Sequence, residues 1–148
     1  MSKPTDVPLE TTLLVRDTCL CLHLQRAARA TARRFDEALR PLGLTNGQFS
    51  LLISLNRPEP PRIGSVAALL AMDRTTLTAA LKPLERRGLL EVTPDPEDRR
   101  SRLLTLTRAG RRLLAEAVPI WKRTHRSLDG LLRGSDPNQL RDGLRSLS

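Results

Sequence analysis

Residues 73–110 read DRTTLTAALKPLERRGLLEVTPDPEDRRSRLLTLTRAG, and this stretch decides the fold. Asp73 is a good N-cap, because its short carboxylate accepts from the free amides of a first helical turn. The spacing that follows predicts a helix from Arg74 to about Arg87. Projected at about 100° per residue, Leu77, Ala80, Leu81 and Leu84 fall on one face and are expected to pack on a core. Thr75, Ala79, Lys82 and Arg86 fall on the opposite face, flanked by Thr76 and Thr78. Pro83 removes a backbone hydrogen bond and is expected to bend the last turn, so Lys82 is better placed on that face than Arg86. Gly88 ends the helix where a left-handed residue is wanted. Leu89 to Thr93 and Ser101 to Thr105 then read as two short strands, joined by the charged, proline-containing turn Pro94 to Arg100.

The residues upstream complete a motif. Thr45-Asn46-Gly47-Gln48 has capping-box spacing and opens a short helix from Gln48 to about Leu55. Arg57 to Arg62 carries three prolines and reads as a loop. Ile63 to Ala71 is a short, Ala-rich helix. Two short helices joined by a tight turn and followed by a charged hairpin make a winged helix-turn-helix.

The chemistry of that unit points to duplex DNA. The outward face of the second helix is small, hydroxylated and basic, which lets a helix approach a major groove and bond to its edges and phosphates. Arg74 sits at the N-terminal tip, the end that usually meets the bases. The expected contacts are Arg74, Thr75, Thr76, Thr78 and Lys82, although an ordinary helix with a solvated basic face has the same pattern. In the turn, Asp95, Glu97 and Asp98 are followed by Arg99, Arg100 and Arg102. An arm of arginines can enter a minor groove or bind phosphates beside it, with acidic neighbours such as Asp98 orienting it.

Working outward, residues 1–10 contain Pro4 and Pro8 and read as an arm. Leu13 to Leu39 reads as one helix, with Leu20, Leu24, Ala27, Thr31, Phe35 and Ala38 at three- and four-residue steps. Its stretch from Thr18 to Leu24 is apolar nearly all round, which suggests burial against a partner subunit. Thr107 caps a long helix to about Leu132, which Pro119 should bend or break. Pro137, with Ser135 or Asp136 as cap, opens a last short helix. The whole is read as one domain, mainly α with a small β-hairpin wing. Residues of about 10–42 and 111–148 supply dimerisation helices, and about 45–110 the DNA-binding region.

Bulk composition agrees. The 148 residues carry 25 Lys and Arg against 16 Asp and Glu, a formal +9 that favours a polyanionic partner. Aromatics are 2% with no Tyr, which disfavours single-strand binders that stack bases on aromatic platforms. No apolar run approaches the ~20 residues of a membrane span, and Met1 to Glu10 has no apolar core of a signal peptide, so a cytoplasmic location is expected. Two cysteines are too few for a disulfide framework.

The stretches Val66 to Thr78, Leu84 to Leu89 and Asp98 to Gly110 together resemble the MarR family of transcription regulators. Leu44 to Phe49 resembles the family's entry to its second helix, and the likeness runs from about Thr18 to Leu132. Asp98 and Arg100 stand where the family's wing has its D-x-R signature. The resemblance implies a triangular homodimer with intertwined first and last helices, two winged heads on a near-palindrome, and repression more than activation. Two-fold symmetry then expects half-sites about one helical turn apart.

It also implies a sensor, released from DNA by a small aromatic or phenolic ligand, a metal or an oxidant. Cys19 and Cys21 are candidate redox thiols, with Arg16 one turn before Cys19. Two residues apart on a helix, they point to different faces, so a bridge within one chain needs the helix to unwind, while a bridge between subunits does not. The family's organic-hydroperoxide branch holds its reactive cysteine with tyrosines, which this chain lacks. The favoured reading of the same thiols is as small buried hydrophobes. Cys19 and His23 share a helical face but are two ligands only, and His125, Asp17 or a partner's residues would have to complete a metal site, so no metal and no cofactor are assigned. A ligand pocket between dimer helices and reading head is expected from His23, Arg26, Phe49 and Trp121, of which Phe49 and Trp121 also suit a core.

No P-loop, dinucleotide glycine motif, H-E-x-x-H or G-x-S-x-G is present, so no catalysis is expected. The competing reading is a winged helix used only for protein–protein contact, against which the basic face and wing argue.

Overall fold

The computed structural model describes residues 6–148. The elements run α1 (Leu9–Thr18), α2 (Leu20–Leu39), a 3₁₀ turn (Arg40–Leu42), α3 (Asn46–Ser54), α4 (Ile63–Leu69) and α5 (Arg74–Arg86). The hairpin β1 (Leu90–Pro94) and β2 (Arg102–Leu106) follows, then α6 (Arg108–Asp129) and α7 (Pro137–Arg145). Residues 1–5 of the expected arm lie outside the described residues, and its last two residues already belong to α1.

The caps act as their chemistry dictates. Thr45 and Gln48 exchange the two bonds of a capping box before α3. Asp73 caps α5, Thr107 caps α6 and Asp136 caps α7, each accepting a backbone amide. Gly88 has φ 72, the Leu89 amide reaches back to the Leu84 carbonyl at 3.0 Å and the Gly88 amide to that of Glu85 at 2.9 Å. This is the Schellman ending.

Three expectations are corrected. The helix predicted from Leu13 to Leu39 is two helices, broken at Cys19, whose ψ is 110. No Gly or Pro marks the break. Thr18 Oγ1 bonds back to the Leu14 carbonyl at 2.7 Å, and such back-bonding bends helices. Periodicity missed it because the same apolar face resumes beyond the break. Second, Pro119 does not break α6, which is continuous from Arg108 to Asp129; α5 runs through Pro83 to Arg86, in keeping with its expected span. Third, both strands start and end one residue later than predicted, and Arg62, read as loop, forms a bridge to Leu103.

The antiparallel register pairs Leu90 with Leu106 and Val92 with Leu104. On the far edge of β2 the Leu104 amide donates to the Pro61 carbonyl at 3.0 Å. Hence the chain just before α4 is tied to the outer edge of β2 by this bond and the Arg62–Leu103 bridge.

The core sits in the head and in the halves of α2 and α6 next to it. Leu39, Leu52, Val66, Leu77, Leu84, Leu90 and Leu104 are fully buried. Each such Leu side chain contributes about 2 kcal/mol relative to exposure. By contrast α1 and α7 bury no residue. Ala80, expected in the core, is half-buried, because α5 rests on the core through Leu77, Leu81 and Leu84.

Candidate nucleic-acid interface

Helix α5 presents its outward face as the sequence requires. Arg74, Thr75, Thr76, Thr78 and Lys82 are all exposed. Asp73 organises the first turn: its Oδ1 accepts the Thr76 amide at 2.8 Å and its Oδ2 accepts the Thr76 hydroxyl at 2.8 Å. These bonds to the charged form hold the Asp73 carboxyl below its ordinary pKa. The Thr76 proton is therefore committed to the cap, and its oxygen faces outward only as an acceptor. Arg74 does not extend from the tip. Its guanidinium folds over α4, where a Cβ at Gly64 would come within 2.7 Å of Nη2.

The helix is fixed to the wing and to the body by Glu85, Arg87 and Thr107, of which only Thr107 was singled out by the sequence, as a cap. The Glu85 carboxylate accepts the Val92 amide of β1 at 3.2 Å. Arg87 Nη1 donates to the Gly43 carbonyl at 2.7 Å, across the base of α2. Thr107 Oγ1 donates to the Gly88 carbonyl at 2.6 Å and accepts the Gly110 amide at 3.0 Å. As a result, Thr78, Lys82 and Glu85 of α5 and Arg102 of β2 line one cleft of about 360 Å³, floored by Ile63, Leu81 and Val92. Reading helix and wing thus share one face, basic and hydroxylated at Thr78, Lys82 and Arg102, with the Glu85 carboxylate held against the Val92 amide.

At the wing tip, Arg99, Arg100 and Arg102 are exposed, and none of the ion pairs among the described residues engages them. Asp98 has a different task from the one expected. Its Oδ1 accepts the Arg100 amide at 3.0 Å, so it shapes the turn's backbone instead of holding an arginine side chain. The carboxylate that reaches inward is Asp95, 4% exposed, with Arg62 Nε 2.8 Å from its Oδ2. Nothing in the run Asp95-Pro96-Glu97-Asp98 announces which acid turns inward. Burial depends on where Pro61 and Arg62 pair with β2.

The charge is also distributed differently from the simplest expectation. Residues 44–107 hold nine Lys and Arg against seven Asp and Glu, +2 of the chain's +9. Positive potential at the head therefore depends on how its acids are paired.

The sensing candidates fall into two places. Phe49 and Trp121 stack on each other at 6.2 Å, with Phe35 at 6.5 Å and His125 at 4.8 Å from the Trp121 ring. Their own rings occupy the space between α2, α3 and α6. Cys19, Cys21, His23 and Arg26 lie at the break and along the first half of α2. Cys19 is half-exposed and Cys21 exposed, both free thiols. His23 Nδ1 contacts the Cys19 carbonyl at 2.8 Å, and the Gln25 amide donates to Cys21 Sγ at 3.3 Å. Arg26 and His23 line a shallow groove with Arg29 and Arg33. Among the described residues no three His, Cys, Asp or Glu gather as a metal site, and no helix is long and apolar enough to cross a membrane.

Comparison with known proteins adds an independent line. The MarR family model matches residues 44–101, the stretch from the end of the 3₁₀ turn through the wing tip. The organic hydroperoxide resistance transcriptional regulator of Bacillus subtilis is 32% identical over 130 residues, 86% of each chain. The transcriptional activatory protein BadR of Rhodopseudomonas palustris is 36% identical over 95 residues, 62% of this chain but only 54% of its own length. The crystal structure of the M. tuberculosis transcriptional regulator MosR in complex with DNA superposes with a TM-score of 0.78 at 36% identity, covering 86% of this chain and 92% of that one. Because the matched segment is the winged head itself and the likeness extends over most of the length of full relatives, the chain belongs to the MarR family.

Proposed function

We propose that this protein is a cytoplasmic, homodimeric transcription regulator that binds a near-palindromic duplex operator and acts as a repressor. The observation that carries this is the single face formed by Thr78 and Lys82 of α5 with Arg102 of the wing, beside the exposed Thr75 and the unpaired Arg99 and Arg100. Small residues admit the helix to a major groove, hydroxyls and Lys82 bond within it, and the wing arginines reach the flanking phosphates. The MosR structure superposed above is of a complex with DNA. The dimer is formed by residues of about 10–42 and 111–148, since Leu13, Leu14 and Leu20 at one end and Leu131, Leu140 and Leu147 at the other stand exposed. Footprinting on the region upstream of its own gene tests the reading. A protected near-palindrome supports it; equal affinity for random duplex overturns it.

The signal is an oxidant, and the break at Cys19 favours this over a phenolic effector in the filled Phe49–Trp121 space. Cys19 stands outside helical geometry at the start of α2, and both free thiols reach solvent. A hydroperoxide oxidises one thiol to a sulfenic acid and leaves as the alcohol. The second thiol displaces water and forms the disulfide. DNA release by cumene hydroperoxide, lost in Cys19→Ser and Cys21→Ser, is the expected result. Release by phenolic acids with both serines in place would return the assignment to the aromatic site.

A further inference from the structure

The wing carries three carboxylates among the arginines assigned to DNA, and phosphate repels carboxylate. Each carboxylate is accounted for differently. Asp98 binds the Arg100 amide. Asp95 is buried, and its Oδ1 accepts the Glu97 amide at 2.9 Å. Its Oδ2 lies 2.8 Å from Arg62 Nε but off the line of a hydrogen bond, so the guanidinium charge is what offsets it. Arg62 Nη2 also reaches the Glu97 carboxylate at 3.5 Å.

Arg62 is at the same time the residue before α4, and its backbone bridges Leu103 of β2. It therefore joins the first helix of the helix-turn-helix to the wing through both backbone and side chain. A buried carboxylate without its partner is strongly unfavourable, which makes this contact a fixed point and not a surface ornament.

We propose that Arg62 is a positioning residue for DNA recognition. It locks the hairpin tip to the start of α4 and neutralises Asp95 and Glu97, so that Arg99, Arg100 and Arg102 meet the phosphates without adjacent repulsion. The proposal rests on the DNA-binding reading, and its competitor is a direct phosphate contact by Arg62 itself.

The test compares Arg62→Gln with the triple variant Arg62→Gln, Asp95→Asn, Glu97→Gln, each checked for fold by circular dichroism. Without DNA, the amides of Asp95 and Ser101 close the turn, and their hydrogen exchange should quicken about tenfold in Arg62→Gln. Unchanged exchange overturns the lock. With the upstream duplex, Arg62→Gln should bind about tenfold more weakly, the triple variant should recover most of that, and the salt slope should hold. A triple variant as weak as the single, with a slope lower by about one, overturns the proposal in favour of direct contact. Absence of wild-type binding overturns the functional reading instead, while the exchange experiment still decides the lock. Should Arg62→Gln not fold, the triple variant, which leaves no buried charge, carries both measurements against wild type: full wild-type affinity supports neutralisation, and a loss with lower slope overturns it.

Discussion

Gly110 lies so close to the carbonyl of Leu89 that a Cβ on it would stand 2.0 Å from the oxygen. This contact seats the first turn of α6 against the junction between α5 and β1, where Thr107 also binds Gly88. Backbone cannot retreat as a flexible side chain can. Gly110→Ala is therefore expected to lower stability by roughly 2 kcal/mol or more, seen as a drop of several degrees in Tm. An unchanged Tm would show that the junction is looser than drawn.

Ala71 sits in the turn between α4 and α5 with φ 51, the left-handed region that costs an L-residue about 1 kcal/mol. The Met72 amide closes the turn on the Ala67 carbonyl at 2.9 Å. Ala71→Gly relieves the strain but frees the unfolded chain, so a net gain of about 0.5 kcal/mol is expected in urea unfolding. A loss would contradict the left-handed assignment.

The Asp73 cap makes stability pH-dependent. Its folded pKa is lowered, chiefly by the Thr76 amide and then by the Thr76 hydroxyl. A lowered carboxylate pKa means the contribution is complete above the ordinary carboxylate value and is lost as pH falls through the depressed folded value. Thermal melts of wild type and Asp73→Ala should differ at neutral pH, with wild type higher, and converge in strong acid. A difference that persists undiminished there would place its source elsewhere.

Arg100 carries charge to the phosphates in the proposed complex, whereas Lys82 lines the cleft beside the groove. Arg100→Ala should weaken binding across sequences and reduce the salt slope by about one. Lys82→Ala should instead narrow the gap between operator and random duplex. The two titrations at several salt concentrations separate these roles, and identical behaviour of both variants would undo the division.

Leu140 and Leu144 line an apolar groove with Leu20 and Leu24. If that groove is the dimer seam, Leu144→Asp places a carboxylate in it and should yield monomer in sedimentation equilibrium, while the head keeps its helicity. A variant that remains dimeric would move the seam elsewhere.

Much of this was legible in the sequence because it is local. Caps at Thr45, Asp73 and Thr107 and the stop at Gly88 depend on residues within one turn of each other, and the outward face of α5 on spacing within a single helix. The break at Cys19 was not legible, since neither neighbour is a helix breaker and periodicity continues past it. Arg74 illustrates a subtler limit: its place at the tip of α5 followed from sequence, but its fold over Gly64 required knowing that α4 lies beneath.

What the sequence by itself determined is the order of elements from α3 onward and the exposed basic face of the reading helix, both consequences of spacing and capping chemistry. The tertiary structure alone decided which wing acid is buried, which arginine meets it, and that Phe49 and Trp121 fill their own space. Those outcomes depend on contacts such as Arg62 with Asp95, residues 33 positions apart, and no local pattern in the chain encodes a partner at that distance.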